Sequence, residues 1–176
     1  DSVVREVMTP RTEVVALPSG TTVAIARELF ARERHSRIPV YRDHIDNVEG
    51  IVTLKDLVAN WGRLADDAKI DGILRPAYFV PETKQVSDLL KEFQSRRIQL
   101  AVVVDEYGGT AGVVTIEDLL EQLVGDIQDE HEQEEASVVA EGQGRFLADG
   151  TASLDDLRSA LDVDLEGEGF DTISGL

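Results

Sequence analysis

Residues 112–119, with the sequence GVVTIEDL, decide the fold, because residues 50–57 repeat them as GIVTLKDL. Each copy is a short apolar stretch that runs into an amphipathic one, which predicts a buried strand followed by a helix. A threonine and an aspartate three residues apart mark both junctions: Thr53 with Asp56, and Thr115 with Asp118. The chain is therefore predicted to contain two equivalent modules, and each junction could hold a small ligand.

The offset between the copies is 62 residues at this motif, and the same offset pairs Arg37 with Gln99. Nearer the amino terminus the offset becomes 63, which pairs Pro18 with Pro81. We infer that one residue was gained or lost within a helix. Two copies with a period this long are typical of a tandem domain rather than a solenoid array.

The first module is predicted to have the order β-α-β-β-α. Thr21 or Thr22 is a suitable amino-terminal cap for its first helix, whose buried side is predicted to include Ile25. A short helical lead-in ends at Thr9, because the residue before a proline avoids the helical conformation. The predicted elements are a lead-in at 3–8, strands at 13–17, 37–41 and 48–52, and helices from the threonine cap to about residue 34 and at 54–61.

The second module is predicted to repeat this order. Its last helix is expected to end at Gly125, a suitable carboxy-terminal cap, and the pair Gly108-Gly109 is interpreted as a hairpin turn. The predicted elements are a lead-in at 69–74, strands at 78–80, 100–104 and 110–114, and helices at 86–96 and 116–124.

The carboxy-terminal part of the chain has a different composition. Residues 126–135 are a charge run, interpreted as a solvated linker or a helix end. Beyond it, a strand at 145–148 and a helix at 153–161 are predicted to begin a second core. The chain starts with Asp and stops soon after this helical pattern, so we expect it to be an excised fragment.

The net charge of −18 is unevenly distributed. Residues 1–125 carry 15 Lys and Arg against 20 Asp and Glu, whereas residues 126–176 carry 2 against 15. Binding to nucleic acid needs a basic surface, so nucleic acid is not an expected partner. The absence of cysteine excludes disulfide scaffolds and thiolate zinc sites, and it fits a reducing compartment.

The repeated Thr-x-x-Asp pattern has two interpretations. It is a capping box, in which the threonine oxygen accepts a free amide proton and the acid favours the positive end of the helix. It is also suited to a ligand, because the hydroxyl and the first-turn amides can bind phosphate while the carboxylate accepts bonds from two ribose hydroxyls. The apolar strand that ends at the threonine in both copies favours a ligand without excluding the cap.

Arg37 is the second candidate, either as an ordinary surface arginine or as a guanidinium that binds phosphate oxygens as a fork. His35, His44 and His131 lack companions at metal-ligand spacing, so they are not expected to hold a transition metal. The sequence contains no nucleophile elbow, Walker loop, HExxH motif or dinucleotide glycine fingerprint. We therefore do not expect an enzyme.

Four motifs together resemble the CBS-domain pair of the CorC/HlyC family, the magnesium and cobalt efflux proteins related to the CNNM magnesium transporters. They are VMTPR at 7–11, HSRIPV at 35–40, the two Gly-x-x-Thr-x-x-Asp-Leu segments and VDEYGG at 104–109. The resemblance implies an α+β fold with CBS domains at 3–62 and 69–125 and an acidic linker at 126–144. It further implies a small α+β transporter-associated domain at 145–176, cut off before it is complete.

The resemblance also implies a ligand and its site. The two modules would pack about a pseudo-twofold axis, pair with a second chain as a homodimer, and bind adenine nucleotide (ATP, or AMP or ADP) in the cleft between them. Thr115 and Asp118 would hold phosphate and ribose, and Arg37 would bind phosphates. Thr9, Ser36 and Pro39 would line the base and sugar pocket. Thr53 and Asp56 match a second cleft, where Gln99 replaces the arginine.

Magnesium is expected with the nucleotide, because a protein of charge −18 repels free ATP and a divalent ion bridging phosphates and carboxylates reduces that repulsion. Its protein ligands are not assigned. The expected function is a cytoplasmic regulatory module at the inner face of the membrane, which passes nucleotide occupancy to a membrane transport domain. The alternatives are a structural dimerisation module that binds no nucleotide and, third, a nucleotide hydrolase.

Overall fold

The computed structural model describes residues 2–137, with side chains through residue 130. Helix α1 (Val4–Val7) and strand β1 (Thr9–Pro10) form the lead-in, and a 3-10 helix at Arg11–Glu13 follows. The first module then contains β2 (Leu17–Pro18), α2 (Val23–Glu33), β3 (Arg37–Tyr41), β4 (Val48–Thr53) and α3 (Leu54–Ala59).

The second module has the same order. Its lead-in is a 3-10 helix at Ile70–Ile73, and its elements are β5 (Phe79–Pro81), α4 (Val86–Arg96), β6 (Leu100–Val104), β7 (Thr110–Thr115) and α5 (Ile116–Ser137). The predicted β-α-β-β-α order is therefore confirmed in both modules, and the fold is α+β. Within residues 2–137, no helix combines the length and apolar composition needed to cross a bilayer.

Each module contains one mixed sheet. In the first, β2 runs parallel to β3, and β3 runs antiparallel to β4. In the second, β5 runs parallel to β6 and β6 runs antiparallel to β7. Strand β1 adds to the free edge of β7, so the second sheet has the order β1-β7-β6-β5.

The two lead-in segments are exchanged between the modules. Strand β1 precedes the first module, yet Thr9 lies opposite Val113 of the second module, and the fully buried Val4 belongs to the second core. Reciprocally, Ile70 packs in the first core, and Arg75 forms a bridge with Ile51 of β4. Each module is thus completed by the segment that precedes the other one.

The glycine of the repeated motif is required by this exchange. A Cβ atom on Gly112 would collide with the carbonyl oxygen of Thr9, where β1 pairs with β7. A Cβ atom on Gly50 would lie 2.8 Å from the carbonyl oxygen of Arg75, at the corresponding place in the first module. Only glycine lets another backbone approach so closely, which explains why both copies begin with it.

A small apolar cluster joins the two modules. Val48 and Ile51 of β4 pack against Leu100 and Val102 of β6, and all four side chains are buried. The contact between the two modules is therefore apolar at this cluster.

The structure corrects several predicted boundaries. Residues 13–17 do not form a strand, since a 3-10 helix ends at Glu13 and the chain pairs only at Leu17–Pro18. Ile25 is not buried but 53% exposed, although Thr22 caps its helix as expected. Gly125 caps nothing, because α5 continues through it to Ser137.

A glycine inside a helix costs only about 1 kcal/mol relative to alanine, and the apolar residues on either side of Gly125 continue the helical pattern. The acidic run at 126–135 is predicted to be a solvated linker or a helix end, and the structure agrees with the second, because α5 includes the whole run and ends at Ser137. The strand predicted at 145–148 and the helix at 153–161 lie outside the described residues.

The strand register also corrects the alignment of the two copies. Arg37 lies opposite Thr53, and Leu100 lies opposite Thr115, so the structural equivalent of Arg37 is Leu100 and not Gln99. Gln99 instead corresponds to Ser36, because the carbonyl groups of both accept a bond from the amide that begins the last helix (2.9 Å in each case). The offset is thus 63 through the first strand of each antiparallel pair, and the missing residue lies in the following turn rather than in a helix.

Candidate functional site

The six residues predicted to line the nucleotide site surround a single cavity of about 370 Å³, here called the first cleft. Three stretches of chain that are distant in sequence bring them together: β1, the start of β3, and the junction of β7 with α5. The predicted residues in its lining are Thr9, Ser36, Arg37, Pro39, Thr115 and Asp118.

The Thr115–Asp118 pair forms a reciprocal capping box at the start of α5. The amide of Thr115 donates to Asp118 Oδ2 at 2.9 Å, and the amide of Asp118 donates to Thr115 Oγ1 at 3.2 Å. This bond occupies one of the two carboxylate oxygens of Asp118. The capping interpretation therefore holds, and the same geometry fixes the hydroxyl and the carboxylate at the wall of the first cleft.

The Arg37 guanidinium is held between the two modules. Its Nε donates to Gln99 Oε1 at 2.9 Å, and its Nη1 donates to Glu117 Oε1 at 3.1 Å. The side chain is only 9% exposed, so this is an oriented guanidinium and not an ordinary surface arginine. A phosphate that entered the first cleft would either share this guanidinium with Glu117 or displace the Glu117 carboxylate from the guanidinium.

The first cleft also contains charged residues that the sequence analysis missed. Glu13 and Glu117 join Asp118, so three carboxylates line the first cleft. Two cations, Arg34 and Arg37, line it as well. Arg34 ends α2 in the left-handed conformation (φ 56°), as Arg97 ends α4 (φ 54°). The recurrence of this arginine at the offset of 63 is the signal that could have identified it.

A metal site made by protein side chains alone is not present among the residues whose side chains the structure describes. No group of three or more His, Asp or Glu side chains there is placed to hold an ion. His35 lies in the lining of the first cleft, and His44 is 3.6 Å from Asp46 Oδ2.

A second cavity of about 440 Å³, here called the second cleft, lies at the other Thr-x-x-Asp junction. Thr53 lines it, as predicted, and caps α3 by accepting a bond from the amide of Asp56 at 3.0 Å. Asp56 is not in the lining. Its carboxylate accepts two bonds from Arg75, from Nε at 2.7 Å and from Nη2 at 2.9 Å.

The hydrogen bonds that the Asp56 carboxylate accepts, chiefly those from Arg75, lower the pKa of Asp56 below its usual value. The prediction that Gln99 replaces the arginine in the second cleft is wrong. Leu100 takes the equivalent place of Arg37, but Arg37 itself, Arg75 and Arg97 all line the second cleft. Arg75 arrives through the exchanged lead-in, which the alignment of the two copies does not reveal.

A polar cluster fixes the segment that follows Thr9. The Arg11 side chain forms an ion pair with Asp46 of the first module, and its Nη1 also donates to the carbonyl of Thr110 in the second. Asp46 Oδ1 accepts a further bond from the amide of Thr110 at 2.9 Å. The Arg11 hydrogen bond, helped by the Thr110 amide, lowers the pKa of Asp46. The wall of the first cleft that carries Thr9 is thus tied to both modules.

Comparison with known families covers most of the chain. The model of the CBS domain matches residues 4–61 and 70–125, and the CorC/HlyC model, described as a transporter associated domain, matches residues 139–176. The magnesium and cobalt efflux protein CorC of Escherichia coli (strain K12) is 37% identical over 177 residues, which are 100% of this chain and 61% of CorC. The YugS protein of Bacillus subtilis (strain 168) is 39% identical over 174 residues, 98% of this chain and 40% of YugS.

Solved structures give the same relationship. The CBS domain of a bacterial CNNM/CorC family Mg²⁺ transporter in complex with ATP has 42% identity and a TM-score of 0.67, and the match covers 70% of this chain and 88% of that one. A CBS-domain pair with bound AMP from Klebsiella pneumoniae has 31% identity and a TM-score of 0.61, with coverage of 70% and 99%.

Proposed function

The chain belongs to the CorC/HlyC family of tandem CBS-domain proteins, the CNNM/CorC-type magnesium and cobalt transporters, and from this premise we propose that its first cleft binds adenine nucleotide. The observation that carries the proposal is the convergence of six residues from three distant stretches of chain on one cavity of about 370 Å³. The ATP and AMP complexes of similar CBS domains support the choice of ligand.

The chemistry of the lining suits a nucleotide. Arg37 would offer a fixed fork to phosphate oxygens, and Thr115 would add its hydroxyl at the amino-terminal end of α5, where anions are favoured. The carboxylate of Asp118 would accept bonds from the ribose hydroxyls. Thr9, Ser36 and Pro39 would form the wall against the base and sugar.

We propose magnesium as the partner of ATP in this cleft. Three carboxylates line it against two arginines, so a free triphosphate would meet net repulsion at close range. A magnesium ion bound to the phosphates would cancel part of the ligand's charge and could bring Glu13 or Glu117 into its outer coordination sphere. AMP, with fewer charges, should depend less on the ion.

The position of the first cleft supports a regulatory role. Its ligand would touch Arg37 of the first module and Thr115 of the second, so occupancy would favour one arrangement of the two modules over others. We propose that this difference is passed to a membrane transport domain and that the modules lie on the cytoplasmic side. The chain spans less than two-thirds of the length of the relatives described above, so this role in the whole protein is part of the proposal.

We also propose that two chains pair through the helices of the first module. Ile25 on α2, Val58 on α3 and Trp61 in the turn after α3 are 53%, 61% and 66% exposed, and the two helices are in contact. Apolar side chains clustered in this way mark interaction surfaces, and a self-complementary patch is what a twofold dimer needs.

Calorimetric titration with ATP tests the nucleotide proposal directly. We expect binding in the presence of Mg²⁺ and at least tenfold weaker binding when EDTA removes it. No detectable heat at millimolar ATP in either condition would exclude the first cleft as a nucleotide site.

A second candidate function has one observation in its favour, namely that the reciprocal capping box accounts for Thr115 and Asp118 without any ligand. Under this alternative the chain is a structural dimerisation module. Nucleotide would then leave the melting temperature unchanged, whereas a ligand at 100 times its Kd stabilises a protein by about 2.7 kcal/mol.

A further inference from the structure

One wall of the first cleft is formed by β1 and its connection to β2. Thr9, Glu13, Val14 and Val15 line the cleft from this stretch of chain. Strand β1 pairs with the second module over only two residues, and the chain next pairs, with the first module, at Leu17–Pro18. The position of this wall therefore depends on what holds the connection between its two ends.

Arg11, which lies in the middle of this wall, joins it to both modules. Its guanidinium forms an ion pair with Asp46, in the turn before β4, and donates to the carbonyl of Thr110 at the start of β7 (3.1 Å). The amide of Thr110 donates to Asp46 Oδ1, and its buried hydroxyl donates to the carbonyl of Ile45, each at 2.9 Å. Arg11, Asp46 and Thr110, here called the inter-module clip, therefore hold the wall against both modules at once.

The turn between β6 and β7 leaves room for the inter-module clip. Asp105 Oδ1 accepts bonds from the amides of Tyr107 and Gly109, each at 2.9 Å, which fixes the shape of the turn. A Cβ atom on Gly109 would lie 3.0 Å from Asp46 Oδ1, so a side chain at this position would crowd the clip. The VDEYGG motif at 104–109 thus supports the contact between Asp46 and the second module.

The equivalent place on the other side of the module pair has no residues that could form such a clip. The strand register puts Ala77 in the place of Arg11, because each follows by two residues the one that pairs with β4 or β7. Val48, which begins β4, stands in the place of Thr110, which begins β7. Ala77 and Val48 belong to the apolar cluster that joins the modules, where the attraction is not directional. Directional bonds between the modules are thus built in at the wall of the first cleft.

We propose that the inter-module clip is a positioning device for nucleotide binding, an inference that rests on the function proposed for the first cleft. The lining of this cleft does not include Arg11, so Arg11 acts through the wall and not on the ligand. It sets the distance between Thr9 and the opposite wall at Thr115. A wall that is held in place before the ligand arrives lowers the entropic cost of binding, so an intact clip raises the affinity.

Calorimetric titration of the full chain with MgATP tests the clip through two variants that change the charge in opposite directions. Arg11→Ala removes a cation and Asp46→Ala removes an anion, so a purely electrostatic effect on ATP would have opposite signs in the two variants. Loss of the clip, in contrast, weakens binding in both. The Arg11 and Asp46 side chains are partly exposed, and exposed ion pairs contribute little to stability, so the variants should fold, which circular dichroism verifies.

The ion pair between Arg42 and Glu49 supplies the matched controls. It joins the same types of charge within the first module, and neither residue lines a cleft. Arg42→Ala and Glu49→Ala therefore repeat the two changes in net charge without touching the inter-module clip. Their affinity for MgATP should stay within about twofold of the parent chain.

We expect Arg11→Ala and Asp46→Ala each to weaken MgATP binding by about fivefold or more. The double variant should bind about as weakly as the weaker single variant, because all three lose the same contact. The inference is overturned if the parent chain binds MgATP and Asp46→Ala binds it equally or more tightly, or if the control variants lose as much affinity as the clip variants. If the parent chain itself binds no MgATP, the proposed function fails together with this inference.

Discussion

Replacing Gly112 by alanine should detach the exchanged lead-in from the second module. The new Cβ atom would collide with the backbone oxygen of Thr9 and would lie 3.0 Å from Met8 Sδ and 3.1 Å from the Thr9 carbonyl carbon. Two of these neighbours are backbone atoms, so a change of rotamer cannot relieve the contact. Strand β1 would have to move away from β7 and lose the short ladder in which Thr9 and Pro10 pair with Val113 and Gly112.

The magnitude follows from the contacts that are lost. Overpacking in a well-filled region costs about 1–3 kcal/mol, and each backbone hydrogen bond given up costs about 1 kcal/mol. We expect Gly112→Ala to lower the free energy of unfolding by about 2–3 kcal/mol, which is roughly 5–10 °C in Tm for a protein of this size. Gly50→Ala should cost about 1 kcal/mol, because its nearest neighbour, the Arg75 oxygen, is 2.8 Å away and needs a smaller displacement.

Thermal and urea unfolding, followed by circular dichroism, measure this series. Gly72→Ala is the matched control, since nothing lies within 4 Å of its Cβ position and its backbone is not left-handed. Its stability should stay within about 0.5 kcal/mol of the parent. If Gly112→Ala were as stable as Gly72→Ala, the close pairing of β1 with β7 would be refuted, and with it the exchange of lead-ins.

Three further outcomes are expected. Gly125→Ala should raise the free energy of unfolding by about 0.5–1 kcal/mol, because α5 runs through this position with open space around it; a loss of stability would restore Gly125 as a cap. The lowered pKa values of Asp46 and Asp56 stabilise the fold at pH values above the ordinary aspartate pKa near 4, and this stability is lost as the pH falls through the lower pKa of the folded state. The urea midpoints at pH 6 and pH 3 should therefore differ less for Asp46→Asn than for the parent chain. Equal differences would contradict the Arg11–Asp46 contact. Trp61→Glu should convert a dimer to a monomer in light scattering, whereas Tyr107→Glu, at an even more exposed aromatic residue in the turn between β6 and β7, should not. An unchanged mass for Trp61→Glu would exclude the proposed dimer surface.

The local elements could be predicted because their signals are local. Strands β3 and β6 and helix α4 begin and end at the predicted residues, since continuous apolar runs and helical spacing depend only on neighbouring residues. The grouping of Thr9, Arg37 and Thr115 around one cavity follows from the family resemblance and from the duplication. The spacing within any single segment does not imply it.

The misassigned features depend on contacts between distant segments. Strand β1 contains Pro10, which a local interpretation treats as an interruption, and it becomes a strand only because β7 offers an edge. The equivalence of Arg37 with Leu100 was hidden by Asp43 and Asp105, which align in sequence at an offset of 62 although the strands before them are offset by 63. The presence of Arg75 in the second cleft is equally non-local, since Arg75 reaches the cleft through the exchanged lead-in.

The central claim is that the first cleft, and not the second, holds the nucleotide, and the pair of variants Thr115→Ile and Thr53→Ile tests it most directly. Each removes one capping hydroxyl from the start of a helix, so the two should lose similar stability, about 1 kcal/mol. In calorimetric titrations with MgATP, Thr115→Ile should abolish binding while Thr53→Ile keeps an affinity within about threefold of the parent chain. Equal losses in the two variants, or a loss confined to Thr53→Ile, would contradict the account.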